Sequence, residues 1–271
     1  VEASLKLLML LAAAAGVVKI GGGLLYGSKA LFVDGLTSMA NLVALLGIIY
    51  YHAVSRMPAD SDHHFGHERL AYGGIALTLL AYSFVGGLAV SELLNTEPYR
   101  VMPLAPVYAS IGLGLYLGVI WLSHRASWEF ESYAFFTLSE VLESLAVIGA
   151  SAAGSYYSYL IDYAGGVAVT TYLFAELYSS FRDFVAEISD ITPPQRIFDE
   201  IRSMVLEEGL RVRELRLRMV TRDQCMGEAT VTPGESMSVE EAIRAARRVE
   251  EKASRIRCRL AVRVCLFRDQ G

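Results

Sequence analysis

The stretch Ala30-Leu-Phe-Val-Asp34-Gly-Leu-Thr37-Ser38-Met-Ala-Asn41-Leu-Val-Ala-Leu-Leu-Gly-Ile-Ile-Tyr-Tyr51 decides how this chain is read. A helix rises about 1.5 Å per residue, so about 20 apolar residues cross the roughly 30 Å hydrocarbon core of a bilayer. This run is long enough and holds one charged residue, Asp34. On its N-terminal side, Leu7 to Tyr26 contains only Lys19. On its C-terminal side, Leu70 to Val90 and Val101 to Leu122 contain no charge at all. Ser132 to Ser180 carries Glu140, Glu143, Asp162 and Glu176 and would be about 73 Å long as one helix, so it must turn back near Gly154 to Tyr159. Six membrane spans are the expectation. The composition agrees, since 54% of the 271 residues are hydrophobic and the mean hydropathy is +0.38, values that exclude an ordinary soluble enzyme. The first span has no basic stretch before it and leads directly into the second, so it reads as a retained span and not a cleaved leader.

Basic residues near the span ends set the orientation. With the N-terminus inside, the inner segments hold Lys6, Arg56, Arg69, Arg125 and Arg182, and the outer loops hold Lys29 and Arg100. Both termini are therefore expected in the cytoplasm, with the loop 52–69 on the same side. The chain is expected to divide into a transport domain, 1–192, and a cytoplasmic domain, 193–271, beginning at Pro193-Pro194. The first part carries 8 Lys/Arg against 16 Asp/Glu and the second 16 against 13. In the tail, Gln195 to Glu208 has helical spacing and Val212 to Met219 alternates as a strand. Glu228 to Val231 reads as a weaker strand, Ser238 to Ser254 opens with a capping box, and Arg259 to Phe267 alternates again. The resulting order is αββαβ. Its interspersed charges read as a solvated sheet face and not a nucleic-acid surface. Cys225, Cys258 and Cys265 show no CxxC spacing, which argues against a disulfide framework and fits a reducing compartment. Leu215 and Leu217 are expected to be available for subunit contact.

Charged groups inside a bilayer cost about 2.5–3.5 kcal/mol each on insertion scales and are functional candidates by default. Asp34, Thr37, Ser38 and Asn41 stand at i, i+3, i+4 and i+7, on one helix face. Ser139, Glu140, Glu143 and Ser144 form a second polar stripe. Facing each other, the stripes would line a cation site with oxygen; the alternative is interhelical hydrogen bonding. No HExxH motif or nucleophile–base pair occurs in the spans, so an enzyme is not expected. In the loop Pro58-Ala-Asp60-Ser-Asp-His63-His64-Phe-Gly-His67, two imidazoles and a carboxylate suit a divalent metal. The alternative there is a solvated polar loop.

These residues resemble the cation diffusion facilitators. The resemblance lies in Lys19-Ile-Gly-Gly-Gly through Asp34, in Pro58-Ala-Asp60 with Phe65-Gly66-His67, and in Ser139-Glu140-Val141 with Ser144-Leu145-Ala146-Val147. It implies a six-helix bundle with an αββαβ dimerisation domain. It also implies a homodimer in the bilayer that exports divalent metal against protons, similar to bacterial zinc/proton antiporters. The family's transport ligands fall here on Thr37, Asn41, Phe136 and Glu140, with Asp34 and Glu143 one turn away. Its tail ligands fall near Arg213, Thr230 and Arg263. Arg69 and Asp190 match a Lys–Asp interlock at the membrane surface.

Imidazole and thiolate suit zinc, whereas carboxylate, amide and hydroxyl suit harder ions. Asp34, Thr37, Asn41, Glu140 and Glu143 thus point to Mn²⁺ ahead of Fe²⁺ and Mg²⁺, with Zn²⁺ as the alternative. Proton coupling would fall on Asp34, Glu140 or Glu143. The competing functional reading is a transport-deficient family member acting as a regulatory subunit or metal sensor.

Overall fold

The computed structural model describes residues 2–126, 131–221, 224–234 and 237–265; the side chains of residues 2–5, 123–126, 131–139 and 221 lie outside that description. The chain divides into two compact units, one of residues 1–57 and 70–182, the other of residues 58–69 and 183–271.

The first unit is helical: α1 (Glu2–Tyr26), α2 (Lys29–Ser55), α3 (Tyr72–Leu94), α4 (Ala105–Ala126), α5 (Glu131–Tyr156) and most of α6 (Tyr159–Ile188). Among the described residues, four helices are long and apolar enough to cross a membrane: α1, α2, α3 with the short 3-10 turn before it, and α4. Of the six expected spans, four are found among the described residues; α5, whose side chains are described only from Glu140 onward, and α6 are long helices as well. They carry Glu140 and Glu143, and Asp162, Glu176, Arg182, Asp183 and Glu187. The expected reversal does occur, between Tyr156 and Tyr159. Leu24, Leu25, Leu80, Phe84 and Trp121 stay exposed on the outside of the unit, the distribution that a lipid solvent favours.

α2 lies at the centre, packed against α1, α3 and α5, and α4 packs against α1 and α5. Glycine permits the α1–α2 approach: a Cβ at Gly23 would sit 2.6 Å from the Phe32 backbone nitrogen, and one at Gly35 2.6 Å from that of Ile20. Ser28 caps α2, its Oγ accepting from the Leu31 N–H at 3.1 Å. Asp162 of α6 completes the cap, accepting from Ser28 Oγ at 2.5 Å, the Lys29 N–H at 2.7 Å and the Tyr99 hydroxyl at 2.9 Å. A carboxylate at a helix N-terminus satisfies orphan donors and the positive end of the macrodipole together. Ala30, Leu31, Val33, Leu36, Val85, Ala109, Val147 and Leu173 fill the core around this junction.

In the second unit the elements run α7 (Gln195–Glu207), β1 (Leu210–Thr221), β2 (Gln224–Pro233), α8 (Val239–Arg255) and β3 (Cys258–Val264). β2 is central, antiparallel to β1 and parallel to β3. The αββαβ order is present, and the capping box of Ser238 and Glu241 starts α8. The end of the last predicted strand, at Phe267, lies outside the described residues. The small core unites Ile201 and Val205 of α7, Ala242, Ala245, Val249 and Ala253 of α8, and the strand residues Leu217, Ala229, Val231 and Leu260.

Two expectations are corrected in this unit. Leu215 and Leu217 do not lie exposed on the outer face of the sheet. Leu217 is buried and Leu215 packs on the core, because strand alternation with an irregularity between Val212 and Glu214 turns them toward the helices. The outer face instead carries Arg216, Glu228, Arg259 and Arg263. Cys225 and Cys258 are joined in a disulfide, with Cα atoms 4.4 Å apart. They are register partners on adjacent parallel strands, a proximity that spacing along the chain does not reveal.

Candidate metal sites

Two groups of metal-ligating side chains can be built from the residues upward, one in each unit. The loop group is local. Asp60 Oδ1 accepts from the backbone N–H of His63 at 2.8 Å and of Asp62 at 3.0 Å, an Asx turn that curls the loop. Gly66, at φ +91°, supplies the left-handed residue that brings His67 back beside Asp60. His63 Nδ1 then lies 3.5 Å from Asp60 Oδ1, and His67 Nε2 lies 3.4 Å from Asp60 Oδ2. The ligand atoms of Asp60, His63 and His67 all fall within 4.8 Å of one another.

His67 is buried and its Nδ1 lies 3.0 Å from the Pro58 carbonyl oxygen. Donation to that carbonyl leaves Nε2 with its lone pair toward Asp60, the orientation that outer hydrogen bonds impose on metal-binding histidines. The two backbone N–H groups on Asp60 hold its carboxyl below the usual carboxylate range, ready to ligate. His64 is exposed and stands outside the cluster.

The second group lies where α2 meets α5. Thr37 Oγ1 is 3.1 Å from Glu143 Oε1 and 2.8 Å from the Asp34 carbonyl, and it can donate to one of them at a time. Glu140 is buried, and neither carboxylate oxygen has a hydrogen bond of good geometry among the described residues. Asn41 Oδ1 accepts from the Tyr82 hydroxyl of α3. The polar stripes of α2 and α5 therefore face each other. Phe136 and Ser139 have side chains outside the described residues.

Asp34 is turned to another partner. Lys19 of α1, fully buried, donates to Asp34 Oδ1 at 2.8 Å, Ser38 Oγ at 3.0 Å and Ser144 Oγ at 2.8 Å. The sequence marked Lys19 only as the lone charge of its span. The missed signal was the cost of a mid-span lysine, which demands a carboxylate partner on a neighbouring helix. Asp162 and Tyr82 were missed too, because their partners lie on other helices.

At the boundary where α6 passes into the second unit, Arg69 Nη2 lies 3.2 Å from Asp190 Oδ1 and Arg218 Nη1 2.8 Å from Asp190 Oδ2. Asp190 holds φ +54°. Arg69 and Asp190 are each close to half exposed. Arg213 lies on β1 and Thr230 pairs in register with Arg263, an arrangement without an imidazole or carboxylate at those positions.

The family described as the cation efflux transmembrane domain matches residues 5–189, more than half of the chain. The uncharacterised transporter YdbO of Bacillus subtilis is 45% identical over 53 residues, covering 20% of this chain and 18% of that protein. The manganese efflux system protein MneP of the same organism is 33% identical over 87 residues, covering 27% and 29%. The zinc transporter ZitB of Pectobacterium atrosepticum is 24% identical over 188 residues, covering 66% and 58%. The chain thus spans between about a fifth and three fifths of the length of these curated relatives.

Proposed function

This chain belongs to the cation efflux family of metal transporters, and we propose that it exports a divalent cation from the cytoplasm by alternating access with inward proton flow. The observation that carries this reading is Glu140, a buried carboxylate whose oxygens accept no hydrogen bond of good geometry among the described residues, one turn along α5 from Glu143, which meets Thr37 of α2. Burying such a group is costly unless a cation or proton visits it. The proposed cargo ligands are Glu140, Glu143 and Thr37, with Asn41 one turn along α2. All are oxygen donors, which favours Mn²⁺ over Zn²⁺ and leaves Fe²⁺ and Mg²⁺ as weaker candidates. MneP is named for manganese efflux and ZitB for zinc transport, so both cargoes occur among relatives.

The proposal includes α5 and α6 as spans. Their carboxylates would face the bundle interior, the usual solution for charge in a membrane. Both termini would be cytoplasmic, and residues 193–271 would form the dimerisation domain of a homodimer. Asp60, His63 and His67 would bind a second divalent ion, with imidazole chemistry that suits Zn²⁺. The pair Arg69–Asp190 would fix the loop to the segment that follows α6.

A second reading, a regulatory member without transport, draws on Asn41 and Asp34 being engaged by Tyr82 and Lys19. Flux in proteoliposomes separates the two. Saturable Mn²⁺ or Zn²⁺ uptake by the wild-type chain supports export, and metal binding without flux supports the regulatory reading.

A further inference from the structure

We propose that Lys19 is the permanent counter-cation of Asp34, and that the pair withholds Asp34 from the cargo while setting the charge that the cargo meets. The proposal rests on the reading of Glu140, Glu143 and Thr37 as cargo ligands. An ammonium has three donors, and here all three find acceptors, on Asp34, Ser38 and Ser144. The ammonium also lies over the ring of Tyr116, with the centroid 5.4 Å from Nζ. The Ser144 hydroxyl also lies 3.4 Å from Asp34 Oδ2, so Lys19, Asp34 and Ser144 close a ring across α1, α2 and α5.

The lysine stem is built in as well. A Cβ at Gly112 of α4 would fall 2.6 Å from Lys19 Cγ and 2.9 Å from Cε, so a side chain at that position would collide with it. Tethered, sterically housed and hydrogen-bond-saturated, the ammonium occupies the place beside Asp34 that a metal would need. The charge arithmetic follows. Asp34, Glu140 and Glu143 against Lys19 give a net charge of about −2 when all are ionised, which one divalent ion balances. Removing Lys19 alone leaves an excess of negative charge, and removing Asp34 alone leaves a buried ammonium that repels the cargo. Removing both leaves the cargo carboxylates as they were, since a buried ion pair is replaced at little cost by neutral groups of similar volume.

The test measures Mn²⁺ binding to the purified full chain in detergent, in a His63→Ala, His67→Ala background so that the loop does not contribute. Far-UV circular dichroism and melting provide the fold check. Lys19→Met is expected to tighten binding by about tenfold and Asp34→Asn to weaken it by about tenfold, while the double variant returns to within about threefold of its parent. If either single variant fails to fold, the comparison of the double variant with the parent still decides. A double variant that binds no better than Asp34→Asn, or that does not fold, overturns the proposal, because Asp34 would then serve more than Lys19. Glu140→Gln is the control for the underlying reading. If it binds Mn²⁺ as its parent does, the cargo site lies elsewhere and the pair's role falls with it, whatever the double variant shows.

Discussion

Asp60, His63 and His67 lie within a few residues of each other, which is why the loop cluster was legible in the sequence. A turn formed by Asp60 and the positive φ of Gly66 is enough to gather them. The pairing of Lys19 with Asp34 was not legible, because it depends on the rotation of α1 against α2. For the loop, His63→Ala with His67→Ala should abolish the rise in melting temperature that Zn²⁺ produces, and an undiminished rise would dismiss these ligands. Metal binding requires deprotonated ligands, so the wild-type rise should be smaller in acid than at neutral pH.

At the scale of elements, the αββαβ order and the capping box of α8 were readable from local spacing. The packing direction of Leu215 and Leu217 and the Cys225–Cys258 bond were not, since both follow from strand register and an irregularity in β1. Asp162→Ala should remove the α6 part of the cap on α2 and destabilise the helical unit by about 1–3 kcal/mol, measured by denaturant titration in detergent. No measurable change would show that the cap is redundant. In the second unit, Glu208 accepts from Arg248 at 2.6 Å and Lys252 at 2.9 Å, tying the end of α7 to α8. The Lys252 and Arg248 hydrogen bonds hold its carboxyl below the usual range. A depressed carboxyl stabilises the fold above its unfolded value of about 4.3 and ceases to as pH falls through the folded value. Glu208→Gln should therefore lower the melting temperature at neutral pH and converge with wild type in acid; equal melting at both pH values would contradict this.

For the whole molecule, the long apolar helices and the tail were legible in the sequence, and four of the six expected spans are found among the described residues. α5 carries the carboxylates that the site needs, Glu140 and Glu143. Coupling between the loop and the segment after α6 should depend on Arg69 and Asp190. Arg69→Asp and Asp190→Arg should each impair flux and the double reversal recover part of it, although Arg218 on the second Asp190 oxygen makes the recovery incomplete. A double variant no better than the worse single one would deny the pair a role. The most direct test of the account is Mn²⁺ uptake into proteoliposomes by wild type and Glu140→Gln, with reconstitution checked by protein content and melting. The account predicts saturable uptake by wild type and loss of at least about 90% of the rate in the variant, since one charge-assisted contact to the ion is removed. Wild-type uptake by Glu140→Gln would contradict it.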